Sequence, residues 1–225
     1  MANIKLVELT IYIGSSHYEL VKVSPGHFIM GGTSVFDTPL KNVQIGKSFY
    51  IGKYPVTQHF WEEILSEKPP TKYYGVNRPV DEVLVSDAQR FLDALNSTTG
   101  LNFSLPTEEQ WEFAARGGIY SKGYKYSGGN DFSELFSRNE IEDGYHSITY
   151  DVGLFKSNEL GIYDMNSNVA EWCIKDMNAN TLVLKGGVLG YEGGLIWEEC
   201  SIAEEIKETV DSYTPNKGIR IILNI

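Results

Sequence analysis

Apolar and polar residues alternate along 5–13 and again along 17–23, with Gly14, Ser15 and Ser16 between the two runs. A period of two with a glycine-led break predicts a β-hairpin. Residues 43–51 predict a further short strand, and the stretch from Gly52 to Pro55 then gives way to a different period. Phe60, Trp61, Ile64 and Leu65 recur at helical spacing after Thr57, whose hydroxyl can cap the first turn. A second helix is expected over 87–95, with Ala88, Phe91, Leu92 and Leu95 on one face, Ser86 as its cap and Gly100 as its stop. Thr107-Glu-Glu-Gln is a capping box, so a third helix starts there and offers Trp111, Ala114 and Ala115 to the core.

Beyond Gly117 the periodicity fades. Residues 120–158 are rich in Gly, Ser, Asn, Asp and Tyr, and a stretch of this length without a repeat pattern is either functional or held by something other than a strand ladder. Residues 182–185 and 218–223 read as closing strands. Short strands, few helices, no internal repeat and no linker predict one α+β unit over residues 1–225.

The chain has 225 residues, 42% of them hydrophobic and 12% aromatic, enough for a substantial core. Its formal charge of -11 opposes binding to phosphate backbones and favours ligands or partners with basic groups, although solubility alone also accounts for such a charge. The first ten residues lack a basic region followed by an apolar run, and no stretch has the length of a membrane span, so the expectation is a cytoplasmic protein with no membrane insertion. Cys173 and Cys200 are too few for a disulfide framework and lack metal-site spacing; buried small hydrophobes and a single disulfide are both open readings.

Six short blocks punctuate the chain in a fixed order: FIMG at 28–31, YPVTQ at 54–58, LPTEEQWEFAARG at 105–117, NELGIYDMNSNVAEW at 158–172, KGG at 185–187 and GIR at 218–220. In that order they resemble the formylglycine-generating enzyme (sulfatase-modifying factor) family, a variant of the C-type-lectin fold. The resemblance implies a C-type-lectin-like α+β domain with long ordered loops.

It also implies positions for chemistry. Two structural calcium sites of the family map onto Asn139 and Asp143 and onto Asn168 and Glu171, with nearby backbone carbonyls completing each set. Hard cations favour such oxygen-rich loops. The same residues equally suit turns, for Asn139 and Asp143, and a hydrogen-bonded core position, for Glu171. The family's copper-binding cysteines fall on Tyr191 and Ile196, which offer no thiolate for soft Cu(I), so no copper is expected. The iron-dependent sulfoxide synthase branch needs a histidine cluster, whereas His17, His27, His59 and His146 are scattered. The acidic pairs at 108–109, 198–199 and 204–205 read as solvated faces rather than catalytic dyads.

The segment 188–217 lies where C-type-lectin-like proteins display their ligand surface. Tyr191, Glu192, Trp197, Glu198 and Tyr213 combine rigid aromatic area with carboxylates and form the expected recognition set. A core strand through Leu195, Ile196 and Trp197 with an acidic rim is the competing reading. Variable proteins of diversity-generating retroelements are similar here too, with hypervariable residues between an RGGSW-like and a GFR-like block; this chain has KGGVL and GIR, with Val188 and Leu189 in place of Ser and Trp. The expected function is a non-catalytic ligand- or protein-binding module. An atypical metal-dependent oxidoreductase and a scaffold subunit of a larger assembly are the alternatives.

Overall fold

The computed structural model describes residues 8–35, 37–131, 149–166, 168–176, 181–187, 201–206 and 216–225. The predicted hairpin is β1 (Glu8–Ile13) and β2 (Ser16–Val23), paired antiparallel from Glu8 against Val21 to Ile13 against Ser16. β3 (Gly26–Met30) pairs with β4 (Lys41–Ile45) as a separate two-stranded ribbon. The single strand expected over 43–51 is thus two strands, β4 and β5 (Phe49–Gly52), because Gly46-Lys47-Ser48 turns the chain out of one sheet and into another.

β5 joins β2, and the order β1-β2-β5-β10-β6 makes a five-stranded sheet with β6 (Phe103–Ser104) and β10 (Ile222–Asn224). Inside the edge strand β1 both faces of this sheet carry buried residues. Tyr18 and Leu20 of β2 pack into one core with Phe60, Trp61, Phe91 and Leu95, whereas Val21 and Val23 face a second core with Phe49, Ile51, Trp111 and Ile222. The alternation read along 17–23 therefore divides two apolar environments rather than core from water.

The first core is roofed by α1 (Gln58–Leu65) and α2 (Val85–Thr99), whose Trp61 and Phe91 rings stack at 5.0 Å. The Thr57 hydroxyl caps α1 by accepting the Phe60 N–H at 3.2 Å. α2 begins earlier than its pattern suggested: Leu84, not Ser86, is the capping position, and the Asp87 carboxylate accepts the Leu84 N–H. α3 (Glu108–Ala115) has the predicted box, with Gln110 N–H donating to the Thr107 hydroxyl and Thr107 N–H donating to the Gln110 side chain.

A three-stranded sheet completes the fold, in the order β8 (Thr181–Lys185), β7 (Ala170–Asp176), β9 (Lys217–Gly218). The closing strand expected over 218–223 is two pieces, β9 pairing with β7 and β10 pairing with β5 and β6, so the GIR block links the two sheets. The described parts of 120–158 contain no strand and only the one-turn 3-10 helix Gly118–Tyr120. Among the described residues no helix is long and apolar enough to cross a membrane.

Candidate functional site

Five of the six blocks converge on two buried carboxylates, Glu112 and Glu171, both fully excluded from solvent, and the sixth, YPVTQ, joins GIR through the Val56 N–H and the Ile219 carbonyl. Glu112 projects from α3, and its Oε1 accepts the Gly31 N–H at 2.7 Å and the Arg116 Nε and Nη2 at 2.9 and 2.7 Å. Its Oε2 accepts from the equally buried Lys185 Nζ at 3.2 Å. One carboxylate thereby ties FIMG, the α3 block and KGG together. Gly31 has φ +89 and lies so close to the Thr38 carbonyl, 2.3 Å from where a Cβ would stand, that only glycine fits.

Glu171 begins the neighbouring cluster. It receives the Arg220 guanidinium at 2.8–3.1 Å, with Nε shared between its two oxygens, and the Trp111 indole N–H at 2.6 Å. The remaining Arg220 donors go to the carbonyls of Gly52 and Tyr163 at 2.8 and 2.7 Å. A buried charge pair is tolerable only when such extra bonds satisfy its remaining groups. Asn158 does comparable work without charge: its amide donates to the Ala114 and Ala115 carbonyls at the end of α3 and accepts the Leu160 and Ile162 N–H groups.

This framework holds the described residues on either side of the segment between Gly187 and Asn216. Lys185, the last residue of β8, and Gly218 of β9 are both register partners of Glu171. The chain therefore leaves and re-enters one sheet at a single row, on a base about 10 Å wide from two strand spacings. Each end is held by a buried cation, Lys185 on Glu112 and Arg220 on Glu171. Gly186 and Gly187 turn the chain out at φ +96 and +72. A third anchor lies midway. Ile206 and Leu184 exchange backbone bonds at 3.0 and 3.1 Å, Ser201 donates to Asp37, Thr38 N–H donates to the Ala203 carbonyl, and Lys175 pairs with Glu205.

The predicted recognition residues Tyr191, Glu192, Trp197, Glu198 and Tyr213 lie outside the described residues, between these anchors. Asn139 and Asp143 also lie outside them. Asn168 and Glu171 are described, and their side chains are hydrogen-bonded within the protein. The Glu171 oxygens are spent on Arg220 and Trp111, and the Asn168 amide is spent on both backbone groups of Tyr150 at 2.9 and 3.1 Å. Two of the acidic pairs read as solvated contain buried members. Glu108 is held by Lys41 at 3.2 Å, and Glu204 is buried beside the third anchor.

Cys173 lies fully buried in β7, where burial pushes its thiol well above the usual range, so it supplies no thiolate at neutral pH. Among the described residues no group of three or more His, Cys, Asp or Glu could hold a metal ion. Ser15, His59 and Glu63 meet at the surface, but the Ser15 hydroxyl and the carboxylate both face the same ring nitrogen, Nε2. A relay needs the acid on Nδ1, so this trio is a staple between the hairpin turn and α1.

Asp164 was not singled out by the sequence, and its environment is the most perturbed of the acids in the framework. It has φ +58, accepts the Gly153 N–H at 2.7 Å, and has a second buried oxygen without a partner. Burial pushes its carboxyl up to about 7, against the lowering effects of the Gly153 bond and Arg220. Between its ordinary value near 4 and 7 the folded state holds the proton that the unfolded state has lost. Stability therefore falls as pH rises through that window, by up to about 4 kcal/mol. Asp164→Asn should flatten this slope in urea denaturation performed from pH 4.5 to 7.5; an unchanged slope would assign the pH dependence to another group.

Short strands around two cores, a loop-rich half held by buried polar groups and a long excursion on a narrow base define a C-type-lectin-like domain of the formylglycine-generating-enzyme type. The family model described as "Sulfatase-modifying factor enzyme 1-like domain" matches residues 14–225, and the chain belongs to that family. It is 30% identical to "Chaperone protein LppX" of Paenibacillus barcinonensis, over 91% of this chain and 89% of that protein. It is 33% identical to "Inactive C-alpha-formylglycine-generating enzyme 2" of Bos taurus over 52% of this chain, and spans 42% of that protein's length. "Treponema denticola variable protein 1" has the same fold, with a TM-score of 0.78 at 21% identity over 97% of this chain and 99% of that one.

Proposed function

We propose that this chain is a non-catalytic binding module for a protein or other ligand bearing basic groups, and that the segment between Gly187 and Asn216 is its recognition surface. The observation that carries the reading is the base of that segment: both ends register on Glu171, and buried ion pairs lock them. Fixing the ends of a segment lowers the ordering entropy that binding must otherwise supply. Tyr191 and Trp197 would act as anchors, with Glu192, Glu198 and Tyr213 around them. Tyr191 and Ile196 at the positions of the family's copper cysteines, together with the sealed thiol of Cys173, support binding over thiol oxidation. The names of the two relatives, one a chaperone and one inactive, point the same way. The fold shared with a variable protein supports the narrower reading that residues 188–217 are diversified by a retroelement.

The test pairs binding with metal analysis. A fluorescent lysine-rich peptide carrying Leu and Phe should bind the intact chain and lose at least tenfold in affinity on Trp197→Ala, with thermal unfolding unchanged. Stoichiometric copper, together with oxidation of a cysteine peptide that survives Trp197→Ala but is lost on Cys200→Ala, would overturn the reading in favour of an oxidoreductase. Sequencing the codons of 188–217 across a source population decides the narrower claim, because an invariant segment rules out diversification.

A further inference from the structure

A second surface lies on the loop between α1 and α2, outside the recognition segment. Gln58 is fully buried at the start of α1 and spends its whole side chain on this loop. Its Nε2 donates toward the Thr71 hydroxyl and the Tyr73 and Pro79 carbonyls at 3.0–3.1 Å, and its Oε1 accepts the Gly75 N–H at 3.0 Å. The loop is thereby fixed at 71–79 while Tyr73, Tyr74 and Val76 stay outside the core that takes Val80 and Val83. Tyr74 is 60% exposed and Val76 48%, with Tyr73 exposed beside them. The Tyr74 hydroxyl donates to Glu62 at 3.0 Å, which holds its ring in place with one face open.

Residues 68–78 of this loop carry Lys68, Lys72 and Arg78 and no acid, with Glu67 before them and Asp81 and Glu82 after them. Lys68, Lys72 and Arg78 make no ion pair among the described residues, although the chain carries a formal charge of -11. Lys72 lies over the Tyr73 ring at 5.3 Å, and Arg78 folds against Gly75. Unpaired cations interleaved with fixed tyrosines on an otherwise acidic surface complement a segment carrying acidic and apolar side chains. The loop also continues to the closing anchor, where Val83 N–H donates to the Lys217 carbonyl at 2.8 Å.

We propose that residues 68–78 form a docking surface for an acidic, apolar-containing segment of a partner protein, through Lys72, Arg78 and the faces of Tyr73 and Tyr74. The net negative charge disfavours a nucleic acid as occupant, since the remaining surface repels a polyanion longer than the loop. A partner's two sites can be told apart by the sign of charge each prefers.

Fluorescence anisotropy of the full chain with two labelled peptides tests this, one alternating Glu with Leu and Phe, the other carrying Lys in place of Glu. The acidic peptide should bind, weaken at least fivefold between 50 and 300 mM salt, on the order expected for screened surface charges, and lose at least tenfold on Lys72→Glu/Arg78→Glu. That variant should leave unfolding and binding of the basic peptide unchanged, whereas Trp197→Ala should leave the acidic peptide bound. No binding of the acidic peptide, or binding indifferent to the loop variant, overturns the proposal. Tighter binding of an oligothymidylate probe, lost in the same variant, would overturn it in favour of a nucleic-acid surface. Tyr74→Ser provides the check for a purely electrostatic contact: an unchanged affinity would remove the tyrosines from the surface.

Discussion

Arg220→Ala should destabilise the protein by about 3–5 kcal/mol, because it strands the Glu171 carboxylate inside the core with only the Trp111 indole as donor. It also removes the donors of the Gly52 and Tyr163 carbonyls, so the loss falls on both sheets and on the loop before β7. Urea denaturation at constant pH measures it. Arg220→Lys should recover only part of the loss, since an ammonium cannot reproduce the planar fork that reaches Glu171, Gly52 and Tyr163 together. Adding Glu171→Ala to Arg220→Ala should restore stability relative to the single variant, because no unpaired charge then remains buried. A single-variant loss below about 1 kcal/mol would mean that water reaches the pair and that the framework is not dry.

The second large effect is an asymmetry around Glu112. Lys185 has Glu112 as its carboxylate partner, whereas Glu112 also holds Arg116 and the Gly31 N–H. Glu112→Ala should therefore cost about 3–5 kcal/mol and leave a buried lysine without its acid. Lys185→Met should cost no more than about 1.5 kcal/mol, since the carboxylate stays paired and the methionine fills the space. The variants also differ in sign with pH. In Glu112→Ala the stranded lysine gives up its proton in the folded state but not in the unfolded state. Folding then releases a proton, and stability should rise with pH up to the ordinary lysine value. Lys185→Met should show no such rise between pH 7 and 10. Equal losses for the two variants would show that the pair acts through packing rather than charge.

The local structure was legible where it is made by neighbours in sequence. Thr57 and Thr107 cap their helices through side chains three residues from the bonded N–H, and Gly14 turns the predicted hairpin. Such signals act within one turn, so they survive without knowledge of the fold. The interrupted strand over 43–51 and the divided strand over 218–223 failed for the opposite reason. Each piece is an acceptable strand, and which sheet it joins depends on partners far away in sequence. Leu84 rather than Ser86 caps α2 because the Asp87 carboxylate accepts the Leu84 N–H, moving the boundary back.

The order of the blocks placed this chain in its family, and with it in its fold, without any coordinates. It also showed Tyr191 and Ile196, and no thiol, at the positions where the resemblance puts the family's copper cysteines. What the sequence left hidden is why those blocks hold the residues they do. Glu108 and Glu112 lie in a run of acids that any linear reading places in water, yet folding buries both; Glu171 suited a calcium loop equally well until Arg220, distant in the chain, arrived across the sheet. The burial of Glu108 and Glu112 and the Arg220–Glu171 pair are properties of three-dimensional neighbourhoods. Only tertiary structure could therefore convert a list of polar residues into a neutralised, dry framework.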